Sequence, residues 1–430
     1  MVPLVLNKII FGISSKSVDI IYSLVIGIMI MNYLGPEEQG KIAFINNLSL
    51  FLSFFLTLGL NSIFTVICGS NKNIVVRKRY GNYAGLRLIG FLIFSVIIFS
   101  VIYITKPDVL LISVPIILSK FFVALNLYPS IVDGRSKFKE YTISQFISLS
   151  ITSSLVVFLI KNDYSTLAIA MTFFCKELLS FIVFYILYDK GKYFSLTLNN
   201  KSAVVVFRKS SKLMLSGVVI GLFTQVDILM IGWFISDSQA GIFSASTRFT
   251  TPLNFISLIV VSMFISNLII EYKSNKDNYY RKISLIISIL LWAYLIIISF
   301  VYIFGSEVFF TIFSIQYLES LKLFYINIIG LIFIFLGAVT GNHLVISKDY
   351  SAELRKTFYA AILNVTLNCI GIYFNSLAVI AISSVLSYAL ANLLFFVFYK
   401  DKLFFIAMIR GCNLFLPLIV LIKSKSIRNF

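Results

Sequence analysis

Apolar residues along this chain come in runs of about 20, each separated from the next by a short polar stretch. A run of about 20 residues is what an α-helix needs to cross roughly 30 Å of hydrocarbon. The pattern predicts twelve such helices, at residues 9–33, 42–67, 84–104, 109–132, 142–160, 164–188, 213–235, 242–270, 283–304, 323–342, 357–374 and 377–399. We therefore expect an all-α, polytopic membrane protein.

Three segments need separate interpretation. The first run, 9–33, is longer than a signal-peptide core, so we expect it to remain as the first membrane helix. Residues 305–322 contain an apolar stretch that is too short to cross, which predicts a loop at the membrane interface. Residues 401–430 contain another short stretch, Leu414–Ile422, which predicts a tail at the membrane surface.

The composition supports a membrane protein. The chain has 430 residues, of which 59% are hydrophobic and 13% are charged, whereas about a quarter of the residues of a soluble domain are charged. Its mean hydropathy is +0.97. No water-soluble fold of this length could bury so much apolar surface.

Basic residues are distributed unevenly between alternate loops. One set of loops and tails holds 27 Lys and Arg residues, and the opposite set holds only Lys41, Lys106 and Lys161. Basic loop residues are retained on the cytoplasmic side, so with an even number of helices the bias predicts a membrane protein with both termini in the cytoplasm. The net charge of +18 then reflects topology and attraction to anionic membrane lipids, and we expect no nucleic-acid partner.

Cysteine and histidine give no sign of a metal or redox site. The four cysteines lie far apart along the chain with no Cys-x-x-Cys spacing, and there is a single His. This pattern indicates neither a disulfide framework nor a zinc site. The sequence also lacks a Gly-x-x-x-x-Gly-Lys-Ser/Thr phosphate loop. We expect no metal, no cofactor and no enzymatic activity.

The chain contains a weak internal repeat. Residues 33–42 follow the first predicted helix and residues 234–243 follow the seventh, at an offset of 201 residues. Each segment runs from an apolar helix end through a polar turn to a glycine that opens the next helix. The repeat predicts a six-helix bundle over residues 1–200 and another over 201–400, around a central cavity with a binding site between the halves.

Ionisable residues inside predicted membrane helices are candidates for function. Placing each such residue at the centre of a membrane helix costs about 2.5–3.5 kcal/mol on insertion scales, so its presence there indicates a function. The candidates are Lys16, Asp19, Lys120, Lys176, Glu177, Asp227 and Arg248. Arg87 and Lys322 lie close to predicted helix ends, from which a long side chain can reach the interface, so they are discounted.

The spacing of these candidates suggests roles for them. Lys16 and Asp19 are three residues apart and share one helix face, as an ion pair or as a lysine facing a cavity. Lys120 and Lys176 lie close to mid-membrane, where two lysines suggest an anionic substrate. Glu177 follows Lys176 directly, but adjacent helical residues point about 100° apart.

Asp227 and Arg248 lie at similar predicted depths, roughly 12 and 9 Å below the outer ends of helices seven and eight. Both a plain salt bridge and a gating or substrate role remain open for them.

Several segments carry a family resemblance. Residues 33–40 are similar to Leu-Gly-Pro-Glu-x-x-Gly, and residues 227–232 to Asp-x-x-x-Ile/Leu-Gly. Residues 241–248 resemble Gly-x-Tyr-x-x-Ala-x-Arg, with Phe243 in place of Tyr, and residues 364–368 resemble Asn-x-x-x-Asn. These motifs resemble those of the O-antigen flippases, which are polysaccharide-biosynthesis membrane proteins of the multidrug/oligosaccharidyl-lipid/polysaccharide exporter superfamily.

The resemblance implies twelve helices in two bundles around a cavity, and export of an undecaprenyl-diphosphate-linked oligosaccharide, with a polysaccharide polymerase and a chain-length regulator as partners. Asp227 and Arg248 match family positions. We expect Lys16, Lys120, Lys176 and Arg248 to bind the diphosphate, and Asp19, Asp227 and Glu177 to act in ion coupling or gating. For Lys16, Asp19, Lys120 and Lys176 this expectation rests on burial alone. The alternatives are a cation-coupled multidrug or metabolite antiporter of the same superfamily and a membrane polysaccharide polymerase.

Overall fold

The structure is a computed structural model that describes residues 2–195, 221 and 223–416, with side chains from residue 17 onward in those ranges. Within these ranges it contains helices and turns and no β-strand. The chain divides into two compact units, Met1–Gly241 and Ile242–Phe430.

The first unit contains nine described helices, the last of which is short. They are α1 (Val2–Phe51), α2 (Ser53–Thr57), α3 (Leu60–Ser70), α4 (Asn73–Thr105), α5 (Leu110–Leu125), α6 (Tyr128–Arg135), α7 (Phe138–Lys161), α8 (Thr166–Phe184) and α9 (Phe223–Phe234). A 3₁₀ turn, Pro107–Val109, precedes α5, and a π-helical turn, Tyr185–Asp189, extends α8.

Helix α10 (Asp237–Ser274) begins in the first unit and continues into the second. The remaining helices are α11 (Lys276–Ile312), α12 (Leu318–Ile346), α13 (Tyr350–Tyr373), α14 (Leu377–Ala389), α15 (Phe395–Val397) and α16 (Lys402–Gly411). A 3₁₀ turn, Ile315–Tyr317, precedes α12, and a π-helical turn, Leu390–Leu394, joins α14 to α15.

The number of membrane segments agrees with the hydrophobic pattern. Among the described residues, ten helical segments are long and apolar enough to cross a membrane, and α9 is a shorter apolar helix. Helix α13 has 24 residues and carries three charged residues, Glu353, Arg355 and Lys356, near its start. Each of the twelve predicted helices thus corresponds to a helix among the described residues, and ten of these are long and apolar enough to cross a membrane. The all-α, polytopic fold is confirmed.

The longest helices extend beyond their predicted bounds. Helix α4 begins at Asn73 rather than at residue 84, and α11 continues to Ile312. The prediction of an interfacial loop over residues 305–322 is therefore wrong, because most of that segment belongs to α11 and α12. Hydropathy marks only the part of a helix that contacts hydrocarbon, whereas the backbone hydrogen bonds can continue into water.

Two membrane segments are interrupted inside the first unit. Leu58 (φ 50°) and Gly59 (φ 67°) adopt left-handed conformations that separate α2 from α3. Asn126 and Leu127 separate α5 from α6, and neither of these two residues has a positive φ. Broken backbone at membrane depth is tolerated only where protein buries it or where it lines a water-filled cavity. These breaks therefore mark a place to look for a site.

A third interruption separates the first membrane segment from the second. Gly35 has φ 73° and ψ 174° and is followed by Pro36, so the backbone of α1 bends sharply at this point. A positive φ favours glycine, and proline after it can open a new helix. The turn predicted after the first helix is thus a kink of one residue.

The C-terminal tail packs along α11. Three side chains spaced four residues apart on α11 donate to backbone carbonyls of the tail: Ser284 Oγ to Ala407 (2.8 Å), Ser288 Oγ to Asn413 (2.9 Å) and Trp292 Nε1 to Leu414 (2.8 Å). The two segments also approach closely at Gly411, where an added Cβ would lie 2.7 Å from Cβ of Ile287. Most of Leu414–Ile422 lies outside the described residues, so the surface position of the tail stays a prediction.

The two predicted six-helix halves also stay a prediction. Their boundary near residue 200 lies outside the described residues. The first compact unit ends at Gly241 in the sequence, and the second begins at Ile242.

Candidate functional site

Four of the candidate charged residues lie together in the first unit. Asp19 interacts electrostatically with Lys176 and Glu177, and Lys120 interacts with the same two residues. Lys176 Nζ lies 3.9 Å from Glu177 Oε1 and 5.4 Å from the centre of the Tyr22 ring. Helices α1, α5 and α8 thus bring into one cluster residues that are up to 158 positions apart in the chain. We call these four residues the charge cluster.

The charge cluster contains as many carboxylates as lysines, so its formal charges cancel. The cationic residues expected from the sequence to bind the substrate also include Lys16 and Arg248. The side chain of Lys16 lies outside the described residues, and Arg248 belongs to the second unit. The roles assigned to all these residues stay predictions.

Arg87 is a buried cation that the sequence analysis discounted. Because α4 begins at Asn73, Arg87 lies inside this helix rather than at its end, and it is only 3% exposed. Its guanidinium donates to the carbonyl oxygens of Val123 (2.5 Å) and Asn126 (3.3 Å), where α5 ends. Those carbonyls lack helical partners at the break, so Arg87 acts as the cap of α5. Its buried Nε has no hydrogen-bond partner in the described part of the chain.

A polar cavity adjoins Arg87 where the second and fourth membrane segments are broken. Its volume is about 180 Å³. Its polar lining comes from six helices and the α5–α6 connection, and consists of Thr57, Asn61, Arg87, Asn126, Ser130, Tyr141, Gln145, Glu177 and Ser180. Glu177 thus belongs both to the charge cluster and to the wall of the cavity. We call this space the α4–α8 cavity.

Helices α1 and α10 touch through their backbones at the end of the first unit that is predicted to face outward. A Cβ on Gly40 would overlap the carbonyl oxygen of Asp237, and a Cβ on Gly241 would overlap that of Pro36. Gly40 and Gly241 are 201 residues apart, and so are Pro36 and Asp237. The two contacts are therefore reciprocal: each glycine contacts the residue that corresponds, in the other copy of the repeat, to the partner of the other glycine.

An ion pair lies beside this crossing. Lys106, directly after α4, contacts Asp237 at the start of α10 and also donates to the carbonyl of Gly232 (2.8 Å). Its ammonium group lies 4.9 Å from the centre of the Phe44 ring. Lys41 pairs with Glu38 at 2.6 Å on α1. Two of the three lysines predicted to face outward are thus bound to carboxylates near the crossing.

The candidate pair Asp227 and Arg248 is divided between the two units. Asp227 lies on α9 in the first unit and Arg248 lies on α10 in the second. Arg248 interacts electrostatically with Tyr317, which precedes α12. The proposed contact between Asp227 and Arg248 stays a prediction.

The Asn-x-x-x-Asn motif lies at the centre of a buried polar cluster in the second unit. Asn368 Nδ2 donates to Asn364 Oδ1 at 3.3 Å, and Asn364 Nδ2 donates to Ser383 Oγ at 3.3 Å. Ser383 Oγ donates in turn to Asn368 Oδ1. The motif thus fixes α13 against α14. In the sequence this motif carries only a family resemblance, and no local pattern there indicates a role for Ser383.

The only histidine of the chain joins α12 to α16. His343 is 1% exposed, and its Nδ1 lies 2.8 Å from the Tyr279 hydroxyl. Its Nε2 lies 3.5 Å from Asp401 Oδ2, and its ring stacks on Phe404 with 3.7 Å between centroids. Asp401 also accepts from the backbone N–H of Phe404 and so caps α16. This arrangement anchors α16, at the start of the tail, to α11 and α12 of the same unit.

Asp349, between α12 and α13, supports the same region. It accepts hydrogen bonds from the Lys400 ammonium group (2.6 Å), the Tyr399 hydroxyl (3.0 Å) and the backbone N–H of Ala352 (3.1 Å). The hydrogen bond from Lys400 is the main cause that holds the pKa of the Asp349 carboxyl well below its usual range. Hydrogen bonds to a charged form favour that form.

The substitution Asp349→Asn is expected to destabilise the protein by about 1–3 kcal/mol at pH 7, because charge-assisted hydrogen bonds are lost. A carboxyl whose pKa is lowered on folding stabilises the fold above its unfolded pKa of about 3.9, and this contribution is lost as the pH falls through the folded pKa. Thermal unfolding in lipid nanodiscs should therefore show the same difference from wild type at pH 7.5 and 5.5, and a smaller one below pH 4. A difference that grew on acidification would contradict this assignment.

Known structures and families resemble this chain over most of its length. No curated protein matches the sequence. The fold is similar to a structure described as "Lipid II flippase MurJ, inward closed conformation", with a TM-score of 0.68 at 14% identity, over 96% of this chain and 92% of that one. It is also similar to the eukaryotic MATE transporter AtDTX14, with a TM-score of 0.63 at 14% identity, over 94% of this chain and 98% of that one.

A multidrug resistance MATE family transporter of the MOP superfamily, in an outward-facing conformation, gives a TM-score of 0.58 at 16% identity, over 95% of this chain and 94% of that one. At such identities these likenesses establish the fold, which these flippases and transporters share.

The family follows from the sequence itself. A family model described as "Polysaccharide biosynthesis protein" matches residues 5–266, which is more than half of the 430-residue chain. The matched segment includes α1, the charge cluster, the α4–α8 cavity and the crossing of α1 with α10. The chain therefore belongs to the polysaccharide biosynthesis protein family.

Proposed function

We propose that this protein moves an undecaprenyl-diphosphate-linked oligosaccharide repeat unit across the bacterial cytoplasmic membrane by alternating access. The repeat unit serves the synthesis of a surface polysaccharide such as O-antigen or capsule. The observation that carries the proposal is the charge cluster, which places four ionisable side chains among membrane helices of a polysaccharide biosynthesis protein.

The chemistry of the substrate accounts for these side chains. Removing a diphosphate from water without compensation costs many kcal/mol, and its sugars add further unmet hydrogen bonds. Lys120 and Lys176 would supply positive charge for the diphosphate, together with Lys16 and Arg248, while the polyprenyl chain stays in lipid. Lysine suits this role because its ammonium group is a compact charge that pairs with phosphate oxygens.

The acidic members of the set would serve coupling or gating. In this proposal Asp19, Glu177 and Asp227 exchange protons or hold one closed state through pairing with the neighbouring bases. An inside-negative potential assists outward movement of an anion by about 2.3 kcal/mol per charge per 100 mV. A coupling ion would therefore reset the empty protein rather than drive the loaded one.

The proposal also gives the protein its cellular setting. It places both termini in the cytoplasm, on the basis of the 27 basic residues in one set of loops and tails against three in the other. The protein would receive lipid-linked repeat units made at the inner leaflet and deliver them to a polymerase and a chain-length regulator outside. It would act as a transporter without catalysis and without a cofactor.

A deletion strain provides the direct test. Cells that lack the protein are expected to accumulate lipid-linked repeat units at the inner leaflet, where they remain protected from an externally added glycosidase. The double variant Lys120→Gln/Lys176→Gln is expected to restore less than about a tenth of wild-type export, because the two neutralised lysines together remove at least about 1.4 kcal/mol of attraction for the diphosphate.

Lys322→Gln is the matched control for that variant. Lys322 is an exposed lysine near the start of α12 and belongs to no cluster described above, so its neutralisation should leave export unchanged. Export that stayed intact in the double variant, at wild-type protein levels in the membrane, would contradict the role of the two lysines. Repeat units that crossed normally in the deletion strain would contradict the function itself.

An antiporter of cationic compounds is the second candidate. It is favoured by the equal number of carboxylates and lysines in the charge cluster, because carboxylates suit cationic substrates. Deletion should then raise cellular retention of the cation ethidium and leave lipid-linked repeat units unchanged. The polymerase alternative has no observation in the described residues that favours it.

A further inference from the structure

We propose that the α4–α8 cavity binds a single neutral sugar ring of the lipid-linked headgroup. This inference rests on the proposed function and deepens it, because it separates recognition of the sugar from binding of the diphosphate. The volume of about 180 Å³ equals the share of about six liquid water molecules, which suits one pyranose ring. It is smaller than the cavities of about 300–1,000 Å³ that hold larger ligands.

The charges of the lining select a neutral ligand. Arg87 and Glu177 are the two ionisable residues of opposite sign in the wall, and their formal charges cancel. A phosphate group that is attracted by the Arg87 guanidinium would be repelled by the Glu177 carboxylate, and a metal ion would meet the reverse, so neither gains a net attraction from the two charges. A polyhydroxylated neutral molecule can use both, because each hydroxyl donates one hydrogen bond and accepts others.

The remaining polar groups are held in place by their neighbours. Gln145 Nε2 donates to the Tyr141 hydroxyl (2.7 Å), and Gln145 Oε1 accepts from Ser180 Oγ (2.9 Å) and Ser148 Oγ (3.3 Å). These contacts fix the amide before a ligand enters, which lowers the entropy cost of binding. A fixed array of amides and hydroxyls in a cavity is suited to read the hydroxyl pattern of a sugar.

Two further groups can donate to a ligand. The Arg87 guanidinium lines the cavity and carries N–H groups beyond the two that donate to the carbonyls of Val123 and Asn126. Asn126 Oδ1 accepts from the backbone N–H of Tyr128 (3.1 Å), which leaves the amide nitrogen of Asn126 to donate. Both groups are positioned by the break between α5 and α6. The break thus supplies donors to the cavity as well as space for it.

The cavity has a wet entrance. Asn61 and Pro129 line it and are exposed, whereas Arg87, Gln145 and Ser180 are buried. Asn61 follows the Leu58–Gly59 break in a membrane segment, and hydrocarbon cannot satisfy an exposed amide there. The opening therefore faces water at this depth, so a sugar can enter without crossing lipid.

Saturation-transfer NMR on the full-length protein in lipid nanodiscs, free of glycoside detergents, tests the proposal. The probes are the methyl pyranosides of glucose, galactose, mannose and rhamnose, together with N-acetylglucosamine, with sodium pyrophosphate and sodium chloride as competitors. At least one sugar should give saturation transfer that neither competitor displaces. If none does, or if pyrophosphate displaces the signal, the proposal is overturned, and the cavity then holds water or an anion.

Variants connect the signal to the cavity. Gln145→Leu should weaken sugar binding about tenfold, and the milder Ser180→Ala about threefold, because Gln145 then loses one of its anchors. Asn162→Leu is the matched amide control, since Asn162 lies after α7, outside the cavity, and it should leave binding unchanged. Glu177→Gln gives the cavity a net positive charge and should allow pyrophosphate to compete. Sugar binding by Ser180→Ala equal to that of wild type would overturn the proposal, and this comparison remains decisive even if Gln145→Leu fails to fold.

The two proposals can fail separately. If sugar binding depends on Gln145 but the deletion strain exports repeat units normally, the sugar site stands and the flippase function is wrong. If export depends on the protein but no sugar binding depends on Gln145 or Ser180, the flippase stands and the sugar site is wrong.

Discussion

Gly241→Ala is expected to destabilise the protein by about 1–3 kcal/mol or more and to abolish export, although it adds only one methyl group. The new Cβ would overlap the carbonyl of Pro36, and backbone cannot move aside as the end of a flexible side chain can. Helices α1 and α10 would have to separate, and the adjacent contact between Lys106 and Asp237 would be strained with them. Gly40→Ala should behave alike, because its Cβ would overlap the carbonyl of Asp237.

Gly341→Ala is the matched control, and the expected sign is opposite. A Cβ at Gly341, inside α12, meets no atom within 4 Å. Alanine is favoured over glycine in a helix by about 1 kcal/mol, so this change should be neutral or mildly stabilising. Thermal unfolding in nanodiscs and export in the deletion strain measure both effects. Equal unfolding temperatures for Gly241→Ala and Gly341→Ala would show that the two backbones are not in contact.

Arg87→Ala should be the most destabilising replacement of a basic residue in the first unit. Loss of the guanidinium leaves the carbonyls of Val123 and Asn126 without their donor at the break after α5. Each unsatisfied buried carbonyl costs about 1–3 kcal/mol, so we expect a loss of about 2–4 kcal/mol after water enters the enlarged cavity. Arg87→Lys should recover part of this, because an ammonium group can reach one carbonyl but lacks the planar fork.

Arg77→Ala on the same helix is the comparison for Arg87→Ala. Arg77 is exposed near the start of α4, and its removal should change the free energy of unfolding by less than about 0.5 kcal/mol. If the two substitutions lowered the unfolding temperature equally, Arg87 would have no capping role at the break.

Hydropathy located the membrane segments but misplaced Arg87. The residues before the apolar part of α4 include Arg77, Lys78 and Arg79, which in sequence resemble a loop. Because they are in fact the first turns of α4, Arg87 lies deep in the helix instead of at its end. Burial of the arginine is decided by how far a helix continues into water, and hydropathy carries no information about that.

The helix breaks were equally hidden from the sequence. Leu58 adopts φ 50°, a conformation that leucine rarely takes. In the sequence, only the adjacent Gly59 is a residue type that favours a left-handed conformation. A proline such as Pro129 can bend a helix, but the break lies before it, at Asn126 and Leu127. Tertiary contacts, such as the one between Arg87 and the end of α5, stabilise these conformations. Such contacts join distant residues, which local patterns cannot reveal.

The charge cluster was more accessible to prediction. The high cost of burying charge identified Asp19, Lys120, Lys176 and Glu177 one at a time, and the structure brings them together. Depth estimates could not show which residues would meet, because adjacent positions on a helix face different neighbours. The balance of charges within the cluster therefore became visible only in three dimensions.

The crossing of α1 with α10 bears on how such a chain arose. Gly40 contacts Asp237 and Gly241 contacts Pro36, and each residue of one contact is 201 positions from its counterpart in the other. Reciprocal contacts of this kind are the signature of an isologous interface, in which two copies of one surface meet across a two-fold axis. An ancestral chain of half the length would have met a second copy of itself at this point. Selection for glycine would then have acted on a single codon, which gene duplication later made into two.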